Sequence, residues 1–231
     1  MQRPSNLLEF LVHLTTVAKG QLQMNSTRPS SSPTKVFWGE IAPNDHIVHF
    51  YDDDETFLTT LAGYIAEGLS KRESVIIIAT PKHLSRLAHL LGSSGVDLMR
   101  PLAEDRYIAL DAAVALSCFM VDGWPNEEMF ASLVKYLIKR ASRNGRRIRA
   151  FGEMVALLWT AGNRAATVQL EDLWNQYCRD YGFCLLCSYP KAGFSNDPAQ
   201  SIAETREICA HHTRFLGHAD QSWPVPAGEA A

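Results

Sequence analysis

Five short stretches of the chain are apolar along nearly their whole length: residues 46–51, 74–79, 106–110, 148–151 and 183–189. The segments between them instead repeat apolar residues every three or four positions, over 56–69, 81–91, 112–120, 126–142, 165–181 and 199–212. The first pattern predicts strands buried on both faces and the second predicts amphipathic helices. Strands of that kind alternating with helices specify an α/β fold with three layers, a mostly parallel sheet covered by helices on both faces. No internal repeat is visible.

The ends read differently. Residues 6–18 carry Leu7, Leu8, Leu11, Leu14 and Ala18 at helical spacing, interrupted by Glu9 and His13, too short to span a bilayer. A Ser/Pro-rich linker follows, so residues 1–35 are expected to be an extension, 36–217 the folded body and 218–231 a loose tail. Met24, just before the linker, is an alternative translation start.

Composition narrows the class. A chain of 231 residues with 46% hydrophobic and 20% charged residues can bury one substantial core, which excludes a disordered or coiled-coil protein. Lys plus Arg number 22 against 25 Asp plus Glu, a net charge of −3, so direct nucleic-acid binding is not expected. No membrane span is expected, because no stretch approaches about 18 uninterrupted apolar residues. Five dispersed cysteines suit a reducing, cytoplasmic setting better than a disulfide framework. Cys184 and Cys187 lie three apart on a strand and therefore face opposite ways, as two core residues would.

In open α/β sheets ligands bind outside the carboxyl ends of the strands, near a topological switch point. Those ends supply Tyr51 and Asp52, Thr80, Asp111, Glu153 and Tyr189, which are expected to line one hollow. The acids from Asp52 to Glu55 either cap the next helix or touch a ligand. Glu153 follows Gly152 and is expected to be partly buried, with Arg149 or Arg147 as its partner. His46 and His49 are an odd number apart on a strand and cannot converge on one ion, so no metal site is expected there. His211 and His212 complement a helix C-terminus. Lys139, Arg140, Arg143, Arg146, Arg147 and Arg149 cluster around the turn at Asn144 and Gly145, as a solvated helix end or as a docking surface for an anionic partner.

The chain has no Gly-x-x-x-x-Gly-Lys-Ser/Thr loop, dinucleotide fingerprint, Gly-x-Ser-x-Gly elbow or His-Glu-x-x-His pair. It reads as a binding protein with no cofactor and no enzymatic activity.

Several phrases together resemble the MEDS domain, a sensory domain of methanogens, methylotrophs and the DcmR regulator. They are His46-Ile-Val-His-Phe-Tyr51, Gly68-Leu69 ahead of Ser74-Val-Ile-Ile-Ile-Ala-Thr-Pro81, Gly95-Val96-Asp97 and Arg149-Ala-Phe-Gly152-Glu153-Met154. Later come Leu170-Glu171-Asp-Leu-Trp174-Asn175, Leu185-Leu186-Cys187-Ser-Tyr189-Pro190, and Ile208-Cys209 with His211 and His212. Lys71-Arg72-Glu73 departs from the Gly-Glu usual before the second strand.

The resemblance implies a RecA/KaiC-like fold without the phosphate loop, and sensing of a small molecule such as a simple hydrocarbon derivative. It implies His46 and Tyr51 as ligand contacts, with Glu153 a third. The body leaves no room for a fused output module, so the expected partner is a separate histidine kinase or other signalling protein. The Gly162 and Asn163 turn and the loop over residues 122–126 are the expected moving parts. Two alternatives stand beside this reading: a degenerate RecA-like interaction module docking through its arginines on a histidine kinase or anti-sigma regulator, and a residual nucleotide-binding enzyme holding magnesium on Asp52, Asp111 and Glu153.

Overall fold

The computed structural model describes Trp38 and residues 41–216. The amino-terminal helix, the linker, Met24 and the tail expected above lie outside these residues. The described chain runs β1 (His46–Tyr51), α1 (Asp54–Ser70), β2 (Ser74–Ala79), α2 (Pro81–Ser93), α3 (Met99–Ala103), β3 (Tyr107–Asp111), α4 (Ala112–Ser117), β4 (Met120–Val121), β5 (Trp124–Pro125), α5 (Glu127–Ala141), β6 (Ile148–Gly152), α6 (Met154–Thr160), α7 (Arg164–Tyr181), β7 (Cys184–Pro190), α8 (Pro198–Ala210) and β8 (Arg214–Leu216).

Six strands form one sheet in the order β3-β2-β6-β7-β1-β8, and every neighbouring pair is parallel. Side-chain alternation explains the unbroken apolar strands. In β2, Val75, Ile77 and Ala79 face the layer of α1, α2 and α3, while Ile76 and Ile78 face α4, α5, α6, α7 and α8. Both faces are dry, so all six positions of β2 are buried.

The switch point follows from this order. The chain leaves β2 through α2 on the first face and moves outward to β3, but leaves β6 through α6 and α7 on the second face and moves inward to β7. The carboxyl ends of β2 and β6 are therefore adjacent with connections that diverge to opposite faces, the geometry that opens a ligand crevice in such sheets.

Four details differ from the sequence expectation. The helix expected over 112–120 stops at Ser117, and the chain forms an antiparallel hairpin, β4 with β5, around Asp122 (φ 50) and Gly123 (φ 85). Two consecutive positive φ values are what a two-residue type I′ loop requires. The short helix α3 was not expected. The last helix ends at Ala210, and the chain adds the edge strand β8 beside β1. Elsewhere the helix boundaries follow local chemistry. Asp53 caps α1, accepting from the amides of Glu55 and Thr56 at 2.9 Å each, and Gly182 (φ 65) closes α7 in the left-handed region.

Candidate functional site

At the switch point, Glu153 comes directly after β6 and Thr80 directly after β2. The Glu153 amide donates to the Ile78 carbonyl at 2.8 Å, which fixes the acid beside the end of β2. Its Oε2 accepts from the Thr80 amide at 2.8 Å, and its Oε1 lies 2.8 Å from Nδ1 of His83 in the first turn of α2. On the far side of that ring, Nε2 is 3.5 Å from Oδ1 of Asp54 at the start of α1. Asp54 is also held by Lys82 at 2.6 Å and Arg86 at 3.2 Å. Glu153 and His83 are buried while the Asp54 side chain is 33% exposed, so the carboxylate–imidazole–carboxylate line runs from the interior to the surface.

The electrostatics follow from that geometry. Burial alone would lower the His83 pKa, but the Glu153 hydrogen bond and charge, with Asp54 behind, outweigh it and raise it above its ordinary value. Asp54 is held low, chiefly by the Lys82 hydrogen bond. Tyr51 is pushed up by burial and then by the negative fields of Glu153 and Asp54. Its ring stacks on Phe57 at 4.6 Å, and Phe57 in turn meets the His83 ring edge-on at 5.1 Å. The arrangement can exchange a proton between the buried Glu153 and the part-exposed Asp54 through the His83 ring.

The residues expected to share one hollow divide among four places. Tyr51, Thr80 and Glu153 come together. Asp52 points away and pairs with Lys191 at 2.8 Å. Asp111 caps α4, accepting from the amides of Ala113 at 2.8 Å and Val114 at 3.3 Å, because its short side chain folds back onto the helix it precedes. Tyr189 sits on the other face of the sheet, where its hydroxyl donates to Glu171. Glu153 takes His83 and not an arginine: Arg149 lies near the amino end of β6, buried against Glu73 and the Tyr64 ring. Tyr51 and Glu153 are buried and Thr80 is half-buried. The arginine turn is largely occupied from within. Arg140 and Arg143 bind Asp105 at 2.5 and 3.2 Å, Arg146 the Glu104 carbonyl at 3.0 Å, and Arg147 lies 3.8 Å from Glu73. Away from the switch point, a shallow groove of about 290 Å³ is lined by Leu69, Val96, Arg100 and Pro101.

A second polar cluster lies under β1 and β7, on the face of α7 and α8, and it includes His46. Nε2 of His46 is 3.3 Å from Cys187 Sγ and 3.3 Å from Glu171 Oε2. His212, in the turn between α8 and β8, puts Nε2 3.6 Å from Glu171 Oε1, and the two imidazole rings are 4.0 Å apart. All four side chains are buried, 0% or 1% exposed. Burial by itself would raise the Glu171 pKa, but His212, His46 and the Tyr189 hydroxyl hold it well below the usual carboxylate range. Burial and the neighbouring His46 push the His212 pKa down, to about 3. His46 thus does not meet Tyr51 or Glu153. The odd offset does separate it from His49, but another segment supplies the second histidine, and His212 joins this cluster while its Nδ1 faces the Ile208 carbonyl in the last turn of α8 at 2.7 Å, the helix-end role expected of it.

These two networks sit in a chain whose relatives can be identified. The family model described as MEDS, the MEthanogen/methylotroph, DcmR Sensory domain, matches residues 45–212. The chain belongs to this family. The match spans nearly all of the described residues and includes both MEDS-domain networks, from His46 to His212. A crystal structure of a KaiC-like protein from the hyperthermophilic archaeon Pyrococcus horikoshii OT3 is similar at 14% identity and TM-score 0.46, over 70% of each chain. No curated protein matches the chain.

Sequence reasoning missed His83, and named Asp54 only as one of the acids from Asp52 to Glu55. The signal for His83 was available: it is the third residue of a helix opened by Thr80-Pro81, so it begins at the same rim as Thr80. No helix among the described residues is long and apolar enough to cross a membrane.

Proposed function

We propose that this MEDS-family chain is a non-enzymatic sensory module that binds a small molecule at the β2/β6 switch point and reports to a separate signalling protein such as a histidine kinase. The observation that carries the reading is the buried Glu153–His83 pair, tied to Thr80 and lying at the switch point where this class of sheet takes its ligands. A ligand with a hydroxyl, carboxyl or halogen would compete with Glu153 for the Thr80 amide and the His83 ring, beside Phe57. A simple hydrocarbon derivative meets that description. A reducing cytoplasm suits five unpaired cysteines.

The route to the surface supports the same reading. Glu153 stands immediately before α6, and α6 ends at the turn containing Gly162 and Asn163. Asn163 Nδ2 donates to the Gly123 carbonyl at 2.8 Å, in the hairpin whose Trp124 is 52% exposed. A ligand shifts such an element only by binding its two arrangements with different affinity.

Calorimetry against one- to four-carbon alcohols, carboxylates and halocarbons tests the proposal. The expected result is a saturable heat that Glu153→Gln and His83→Gln each weaken at least tenfold, while the folded state persists by circular dichroism. No heat from the whole panel, or heat insensitive to both substitutions, overturns it.

A further inference from the structure

The cluster of His46, Glu171, Cys187 and His212 holds more hydrogen-bond acceptors than donors. His46 Nδ1 faces the His211 carbonyl at 3.0 Å, and His212 Nδ1 faces the Ile208 carbonyl at 2.7 Å. A carbonyl oxygen only accepts, so both Nδ1 atoms carry the proton and both Nε2 atoms present a lone pair to the same small volume. The Tyr189 hydroxyl serves one oxygen of Glu171. That leaves two imidazole nitrogens and the other carboxylate oxygen against a single thiol hydrogen, on Cys187. His212 Nε2 is buried with no hydrogen-bond partner at all. Buried acceptors are expected to be satisfied, and these lack one positive centre.

The spacing says which kind. Four ligands at about 2.0–2.3 Å from a tetrahedral zinc lie about 3.3–3.8 Å from one another. Here the separations are 3.3 Å for His46 to Cys187, 3.3 Å for His46 to Glu171 and 3.7 Å for Cys187 to Glu171. His212 Nε2 stands 3.6 Å from the other Glu171 oxygen, Oε1, and one ligand atom from each of the four residues lies within 4.8 Å of all the others. Two nitrogens, a sulfur and one oxygen disfavour magnesium and calcium, which take oxygen ligands. Both imidazoles are oriented by a carbonyl behind them, the second-shell support that metal-bound histidines have.

We propose that His46, Glu171, Cys187 and His212 bind one Zn²⁺ ion. With four protein ligands the coordination is closed, so the ion is structural. Its ligands come from β1, α7, β7 and the turn before β8, and it fastens the last described segment onto the sheet. The Cys187 proton leaves to solvent as the thiolate–metal bond forms, and no oxidation state changes. This site shares no residue with the switch-point network, so either proposal can fail without the other.

The test is metal analysis of the full chain purified under reducing conditions from zinc-supplied cells, followed by chelation and reconstitution with Co²⁺. The expected result is one zinc per chain, a lower melting temperature after chelation, and tetrahedral d–d bands with a thiolate-to-cobalt charge-transfer band after reconstitution. Cys187→Ser should remove the charge-transfer band and weaken binding about a hundredfold, and Asn175→Ala, behind His46 at 3.1 Å, should weaken it about tenfold. Cys184→Ser, on the opposite face of the same strand, should leave both metal and spectrum intact. If Cys187→Ser does not fold, the wild-type zinc content, spectrum and chelation response decide. A folded wild-type chain with only trace metal and no cobalt bands overturns the proposal, as does a charge-transfer band that survives Cys187→Ser or is lost with Cys184→Ser.

Discussion

Replacing Glu153 by glutamine isolates the charge at the switch point while keeping its shape. The amide oxygen can still accept from the Thr80 amide, which lies 2.8 Å from Oε2 in the wild type. What disappears is the negative charge 2.8 Å from His83 Nδ1. His83 is raised in the folded state although burial alone would lower it, so the raising interactions with Glu153 and Asp54 must exceed the desolvation. Because the folded pKa lies above the unfolded value of about 6.5, this interaction stabilises the fold fully below that pH and fades as pH climbs through the folded pKa. Hydrogen bonds to charged groups contribute about 1.5–3 kcal/mol, so Glu153→Gln should cost about that much near pH 5.5 and clearly less near pH 8.5. Urea unfolding at the two pH values measures the difference. A proton–carbon NMR titration, assigned with His83→Gln, should show the His83 midpoint falling in the variant. An unchanged midpoint, or a stability loss larger at the higher pH, refutes the reasoning.

Three further substitutions probe the surrounding frame. Arg149→Met leaves the buried Glu73 carboxylate without its main partner and should cost about 3–5 kcal/mol in urea unfolding, with Glu73→Met in the same chain recovering most of it; a single-variant cost below about 1 kcal/mol would remove the ion pair from the account. Gly68→Ala places a methyl 2.9 Å from Arg149 Cδ and 3.1 Å from Val75 Cγ2, so overpacking should lower stability by about 1–3 kcal/mol, read as a fall in melting temperature. Asp111→Ala removes the α4 cap and should cost about 0.5–2 kcal/mol without altering ligand heat, since Asp111 stands apart from Glu153; a lost ligand response would return Asp111 to the site.

The fold was largely legible because its signal is local. Strands buried on both faces must be apolar throughout, and 46–51 and 74–79 match β1 and β2 to the residue. The hairpin was missed although Asp122 and Gly123 are a known turn pair, because two-residue strands carry no periodicity to flank it. The site was less legible, since side-chain direction depends on tertiary partners. Glu153 was rightly placed at the rim, yet its partner depended on strand order: with β6 beside β2, His83 arrives from α2, while Arg149 is near the opposite end of the strand. Likewise His46 and His212 are 166 positions apart, and only the pairing of β8 with β1 brings them together.

That pairing also limits what can move. Glu171 ties α7 to β1 and β7 through His46, Cys187 and Tyr189, all within the dry second layer, so α7 is poorly placed to shift without breaking several buried polar contacts at once. By contrast α6 is seven residues long, begins at the switch-point acid and ends at a turn whose Asn163 both caps α7 and holds the hairpin. Besides its bonds to Thr80 and His83, Glu153 therefore has a short element leading away on the second face, with a well-tied helix beyond it. Hydrogen exchange should accordingly show ligand or Glu153→Gln altering protection over residues 120–125 and 153–163 while the amides of 166–178 keep theirs. Changes concentrated in α7 would place the responsive element elsewhere and sever the link from crevice to hairpin.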